Sequence, residues 1–247
     1  MIHVLRAELT KTFTLRSIQG ALLAAILIPP VLALLSGLSF DPDAPSAAAF
    51  PVEAHGFETA GFGQPVIILL AALITGTEYH DGQLRTTLLA SPHRGGVLAA
   101  KLIVIAGLTT SIGLLATSMA VLLEHAALGE RGLKMDEFTA DMGWNLLGVA
   151  INYLLIALIA ASITVLARTL IVTLVVLIPL VLGLTVSLLG MFPALKYLPD
   201  LAGLQLLTAY PGVGLLDPVP GGFVMAGWAM LVSGAAWTAL RTRDVGQ

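Results

Sequence analysis

The chain alternates between long runs without Asp, Glu, Lys or Arg and short stretches where those residues gather. Six charge-free runs are long enough to cross a bilayer: Ser17–Phe40, Thr59–Thr77, Leu102–Leu123, Met142–Ala167, Thr169–Leu195 and Pro218–Leu240. A helix needs roughly 20 apolar residues to cover about 30 Å of hydrocarbon. The pattern predicts spans over about 17–40, 59–78, 97–123, 142–167, 169–191 and 221–240, within one transmembrane domain covering 1–247. Gly61, Gly63 and Pro65 predict an irregular first turn in the second span. Pro29-Pro30 and Pro179 predict kinks in the first and fifth. A seventh apolar piece, Leu201–Leu216, is too short to cross and is cut by Pro211, Gly212 and Gly214. It reads as a broken, re-entrant or interfacial segment, which survives at membrane depth only where protein or water satisfies its backbone. The fold class expected is an all-α membrane protein.

The first 16 residues carry a different rhythm. Ile2, Leu5, Leu9 and Phe13 share one side, while Arg6, Lys11 and Arg16 lie elsewhere on the wheel. This predicts an amphipathic helix on the membrane surface, its basic residues near anionic headgroups. The loop Asp41–Glu58 is acidic and rich in Pro and Ala, and reads as poorly ordered. Its "PSAAAF" stretch holds an Ala-x-Ala pattern, but the apolar run before it is far longer than the roughly 7–15 residues of a cleaved signal.

An even number of spans puts both termini on one side. Arg6, Lys11, Arg16, Arg85, Arg94, Lys101, Arg168, Arg241 and Arg243, nine of the twelve basic residues, fall on that side. Eleven of the fifteen acidic residues fall on the other, Glu53, Glu58 and Glu124 among them. The excess of Lys and Arg makes the first side cytoplasmic. Composition agrees with the membrane class: 57% of residues are hydrophobic and 11% charged, against about 25% charged in a soluble domain.

Several chemistries have no residues to carry them. Cysteine is absent, which excludes disulfides and thiolate metal sites. There is no Gly-x-x-x-x-Gly-Lys-Ser/Thr loop for a nucleotide phosphate and no His-Glu-x-x-His pair. His3, His55, His80, His93 and His125 lie near ends or loops. No catalytic residue, metal site, directly bound cofactor or nucleic-acid partner is expected. Within the spans there is only mild polarity: Gln64, Ser111, Ser118, Trp144, Asn145 and Asn152. Asn145 and Asn152 are seven apart and share a helix face, as do Ser111 and Ser118. Two readings stand side by side. These residues line a translocation path, or they hold helices together by hydrogen bonds of the kind common in any bundle.

The polar connection between the second and third spans is the most distinctive stretch. "TGTEYHDGQLRTTLLASPHRGGVLAAK" runs from Thr75 to Lys101. Asp81 can cap a short helix beginning near Gly82. Leu84 and Leu88 stack at i, i+4 with Leu89 beside them and Arg85 pointing elsewhere. Pro92 and Gly95-Gly96 end the element. The result is a helix over about 80–92 whose leucines suit a groove in a soluble partner. Glu78 either pairs with Arg85 or Lys101 or makes a polar contact that passes on movement of this helix.

With Glu78-Tyr79, Gly82, Arg85, Leu88-Leu89, Pro92-x-Arg94 and Lys101 in this order, the stretch resembles the inner loop of the type-2 ABC permease family, the membrane subunits of bacterial ABC exporters. Gln83 departs from the Thr or Ser often found there. The basic amphipathic start, the six spans, the broken segment before the last and the "RTRDV" ending resemble the family as well. The resemblance implies that 80–92 is a coupling helix, with Glu78, Tyr79, Asp81, Gly82, Leu84, Arg85, Leu88, Leu89, Pro92 and Arg94 facing a separate P-loop ATPase that binds ATP and Mg. It further implies a second permease chain, identical or similar, a lipid environment in the bacterial cytoplasmic membrane, and a cargo such as a drug, a lipid or an antimicrobial peptide of the lantibiotic-immunity type. Rival readings are a membrane scaffold or sensor that transports nothing, and an intramembrane enzyme, which lacks its constellation here.

Overall fold

The computed structural model describes residues 2–41, 51–79, 94–208 and 214–242. These are helical, with no strand among the described residues. Without water in the hydrocarbon, a chain must satisfy its backbone within each segment, and the helix does so. The N-terminal helix α1 (Ile2–Thr14) turns at Leu15 into α2 (Arg16–Leu38). Then come α3 (Ala60–Gly76), extended by a 3-10 turn Thr77–Tyr79, α4 (Arg94–Leu128) and α5 (Ala140–Ala167). The fifth span is broken: α6 (Leu170–Pro179), a widened π turn Leu180–Leu184, and α7 (Thr185–Leu188). Short helices α8 (Pro199–Ala202) and α9 (Leu204–Leu207) precede α10 (Pro218–Thr242). Six of these units are long and apolar enough to cross a membrane.

Several local expectations meet a different outcome. α3 is regular from Ala60 onward, although its first turns hold Gly61, Gly63 and Pro65. The Tyr153 hydroxyl donates to the Ala60 carbonyl at 2.7 Å and anchors that first turn. α2 runs through Pro29 and Pro30 as one helix, whereas Pro179 marks the break in the fifth span, completed by Gly183 at φ 110°. The connection between the fourth and fifth spans is Arg168-Thr169, with Arg168 left-handed at φ 55° and the Thr169 hydroxyl capping Ile171 N–H at 3.2 Å.

α5 forms the centre. In its most apolar stretch 72% of residues are buried within the chain, against 17% in the fifth and last spans. Tyr153, Ile156, Ala157 and Ala160 of α5 are fully enclosed. α8 and α9 pack into this core through Ala202, Leu206 and Leu207, so this part of the broken segment is covered by protein as its irregular backbone demands. The ends of α3, α5 and α10 and the start of α4 meet at one small cleft lined by Thr75, Glu78, Val97, Lys101, Val165 and Leu240. α1 reaches the same end through Glu8. α1 and the end of α10 therefore share one end of the bundle with the close of α3 and the start of α4.

Candidate functional site

The polar layer at that end is built from both roots of the α3–α4 connection. Glu78 sits in the turn that closes α3, and Lys101 lies two turns inside α4. Both are buried, as is Glu8 of α1. The Lys101 ammonium donates to Glu8 Oε2 at 2.5 Å, to the Ile74 carbonyl at 3.2 Å, and pairs with Glu78 Oε1 at 3.1 Å. Its three N–H donors thus have three acceptors. Lys11 Nζ reaches Glu78 Oε1 at 2.8 Å. Two carboxylates and two ammoniums cancel, which buried charges require.

This geometry clamps three elements. The chain leaves for the α3–α4 connection directly after Tyr79 and returns at Arg94. Glu78 and Lys101, on either side of it, are bound to each other and to α1. A displacement of the connection pulls on a paired unit, since separating these charges in a water-poor site costs far more than moving them together.

The structure treats the sequence-derived site residues unequally. Asp81, Gly82, Leu84, Arg85, Leu88, Leu89 and Pro92 lie outside the described residues. Arg94 opens α4, and Tyr79 flanks the small cleft with Glu78. Of the two alternatives for Glu78, ion pairing with Lys101 is present, joined by Lys11. Lys11 was expected among headgroups; instead it turns toward the protein, because a buried carboxylate is there to meet it. Ile2, Leu9 and Phe13 are exposed as a lipid-facing edge requires, while Glu8 and Thr12 form the buried edge of α1. Sequence reading missed Glu8. The signal was a polar pair at i, i+4 on the side of α1 away from its exposed apolar residues.

The six polar residues of the spans do not form one line. Gln64 and Asn152 meet in the interior: Gln64 Nε2 donates to Asn152 Oδ1 at 2.8 Å, and Asn152 Nδ2 donates to the Gly203 carbonyl at 2.8 Å. A Cβ at Gly203 would collide with the Met225 sulfur and lie 2.8 Å from that Asn152 nitrogen, so glycine is needed for the approach. Ser118 lies on the wall of a different, mostly apolar cleft of about 420 Å³, with Phe57, Val121, Phe138, Met142 and Leu146. Ser111 is exposed and spends its hydroxyl on the Gly107 carbonyl at 2.8 Å. Trp144 is exposed and Asn145 half-buried.

Against known proteins, residues 4–192 match the family described as ABC-2 family transporter protein. Among curated proteins, none matches the chain.

Proposed function

The chain belongs to the ABC-2 transporter family, and from that premise we propose that it is the permease subunit of an ATP-driven exporter, driven through residues 80–92 by a separate P-loop ATPase. It is a multi-pass membrane protein and the membrane subunit of a transporter. The proposal adds the motor, the direction and the cargo. ATP and Mg act on the partner, which supplies the free energy of nucleotide binding and hydrolysis. This chain's residues do the transmission.

The observation that carries this reading is the charge clamp. A coupling element is useful only if its roots are fixed to the parts it must move. Glu78 and Lys101 join the ends of α3 and α4 to each other and to α1. A partner that binds 80–92 differently in two nucleotide states therefore biases three elements together, and differential affinity for two arrangements is what drives a conformational switch. The middle stretches of the spans hold no charged side chain, which suits an apolar or amphipathic cargo, such as a drug, a lipid or an amphipathic antimicrobial peptide. A second permease chain completes the path, covering spans that this chain leaves largely open.

The test is co-purification. The wild type is expected to bring down a P-loop ATPase, and Leu84→Asp with Leu88→Asp to abolish that association while membrane insertion persists. Wild type that purifies alone from its native membrane, with no neighbouring reading frame for an ATPase, would overturn the reading in favour of a scaffold or sensor.

A further inference from the structure

A second charged cluster lies at the opposite end of the bundle. Lys101 and Glu124 are 23 residues apart on α4, a rise of about 35 Å at 1.5 Å per residue. There the segment 51–59 folds back onto α4. His55, Glu58 and Glu124 come together with one ligand atom from each within 4.8 Å of the others. Gly56 makes this possible. It has φ 90°, and a Cβ there would stand 2.5 Å from Val121 Cα, so the loop backbone lies directly on α4.

The hydrogen bonds of this cluster do not use all of its buried oxygens. His55 Nδ1 is 3.0 Å from Glu124 Oε1, which also accepts from Ser36 Oγ at 3.1 Å. Glu124 is 1% exposed, and its second oxygen has no hydrogen-bond partner. Glu58 Oε2 is likewise buried and meets no donor group among the described residues, while the Glu58 and Glu124 carboxyls lie within hydrogen-bonding reach of each other. Among the described residues, these two carboxylates side by side, each with an unused buried oxygen, have no lysine or arginine as an ion-pair partner. Such groups are costly unless a cation or proton joins them.

We propose that His55, Glu58 and Glu124 bind a divalent transition-metal ion of the Zn²⁺ class, fastening the segment 51–59 to α4. The donor set decides the class. One imidazole nitrogen with two carboxylate oxygens suits Zn²⁺ and its neighbours, whereas Ca²⁺ and Mg²⁺ prefer oxygen alone. Zn–N and Zn–O bonds of about 2.0–2.2 Å place tetrahedral ligands about 3.3–3.6 Å apart, a few tenths of an ångström beyond the 3.0 Å between His55 Nδ1 and Glu124 Oε1. Three protein ligands leave a fourth position for water. His125 stands nearby, its ring centroid 6.3 Å from that of His55. Its Nδ1 already accepts from Leu133 N–H at 3.0 Å, so its Nε2 carries the proton and is no ligand in this arrangement. Phe57, between two of the ligands in sequence, forms part of the wall of the 420 Å³ cleft. The ion would therefore fix one wall of that cleft.

The experiment uses the full chain in detergent, purified through a tag without histidine, stripped with chelator and titrated with Zn²⁺ alone. About one equivalent is expected to bind. Glu124→Gln and Glu58→Gln are each expected to weaken binding at least tenfold, and the His3→Gln, His80→Gln, His93→Gln triple variant to leave it unchanged within twofold. Co²⁺ added to the wild type provides a readout that needs no variant. An intensified visible absorption of a four- or five-coordinate ion supports the site, and a spectrum identical to aqueous Co²⁺ overturns it. Absence of saturable Zn²⁺ binding, or binding undiminished in folded Glu124→Gln, also overturns it. Thermal stability that responds to pH but not to Zn²⁺ would assign the two carboxyls to a shared proton and reject the metal.

Discussion

At Glu58, burial is the larger cause and the adjoining Glu124 carboxyl the second of a shift that pushes its pKa from 4.5 up to about 8. The sign of the consequence follows from proton counting. Between those values the folded, metal-free protein keeps a proton on Glu58 that the unfolded chain has lost. Stability is therefore greatest below about pH 4.5 with respect to this group, and declines as pH rises toward 8. Melting in detergent with chelator, compared between pH 5 and 8.5, should show that decline in the wild type and a smaller one in Glu58→Gln. Gly56 is the neighbouring test of geometry. Gly56→Ala must place a Cβ against Val121 at a left-handed backbone position, with an expected loss on the order of 1–3 kcal/mol, read as a lower melting temperature. None of this was legible in the residues. His55 and Glu124 are separated by 69 positions, and the acidic loop read as poorly ordered, so only the fold brings them together.

Among the elements, the α1–α3–α4 clamp and the α5 tie make opposite demands on substitution. Lys101→Met removes the hub and strands the buried Glu8 carboxylate, while Glu78 keeps Lys11. Stranding a buried partner costs about 3–5 kcal/mol, so the single variant should aggregate or melt early by size exclusion. Adding Glu8→Gln removes the stranded charge, leaves the Lys11–Glu78 pair intact and should restore the fold, while ATPase stimulation by cargo stays lost because α4 no longer moves with α1 and α3. Restored fold with normal stimulation would show that the clamp is structural only. Asn152 is a different case. Its amide oxygen and nitrogen are both committed to protein partners, Gln64 and Gly203. Asn152→Leu orphans those partners at about 1–3 kcal/mol for each buried group, more than the roughly 0.6 kcal/mol average for a hydrogen bond between membrane helices. Folded protein in the membrane and transport should fall together, as a tie between spans requires. Transport lost at full expression would place Asn152 on the path.

The whole molecule was the most legible scale, because a bilayer admits few solutions. Uninterrupted apolar runs located every crossing, and the helices differ from the sequence-derived bounds by a few residues at most ends. α4 is the exception: it runs past the predicted 97–123 to cover Arg94–Leu128, carrying Glu124 into the helix that holds Lys101. Charged residues were read as boundary markers, yet in the fold they are the two polar layers that bracket the hydrocarbon. Their separation of about 35 Å along α4 exceeds the roughly 30 Å core by about one helical turn or slightly less, which fixes how deep the bundle sits. The charge bias then orients it. By the excess of Lys and Arg on one side, the Lys101 end is expected to face the cytoplasm and the Glu124 end the outside. Because the chain has no cysteine, single substitutions report this without background. A cysteine at Lys134 or Glu130 should react with a membrane-impermeant thiol reagent added to intact cells. Cysteines at Arg85, Arg168 and Thr242 should react only after the membrane is opened. Labelling of Arg85→Cys in intact cells would place residues 80–92 out of reach of any cytoplasmic ATPase and end the coupling mechanism, whatever the family.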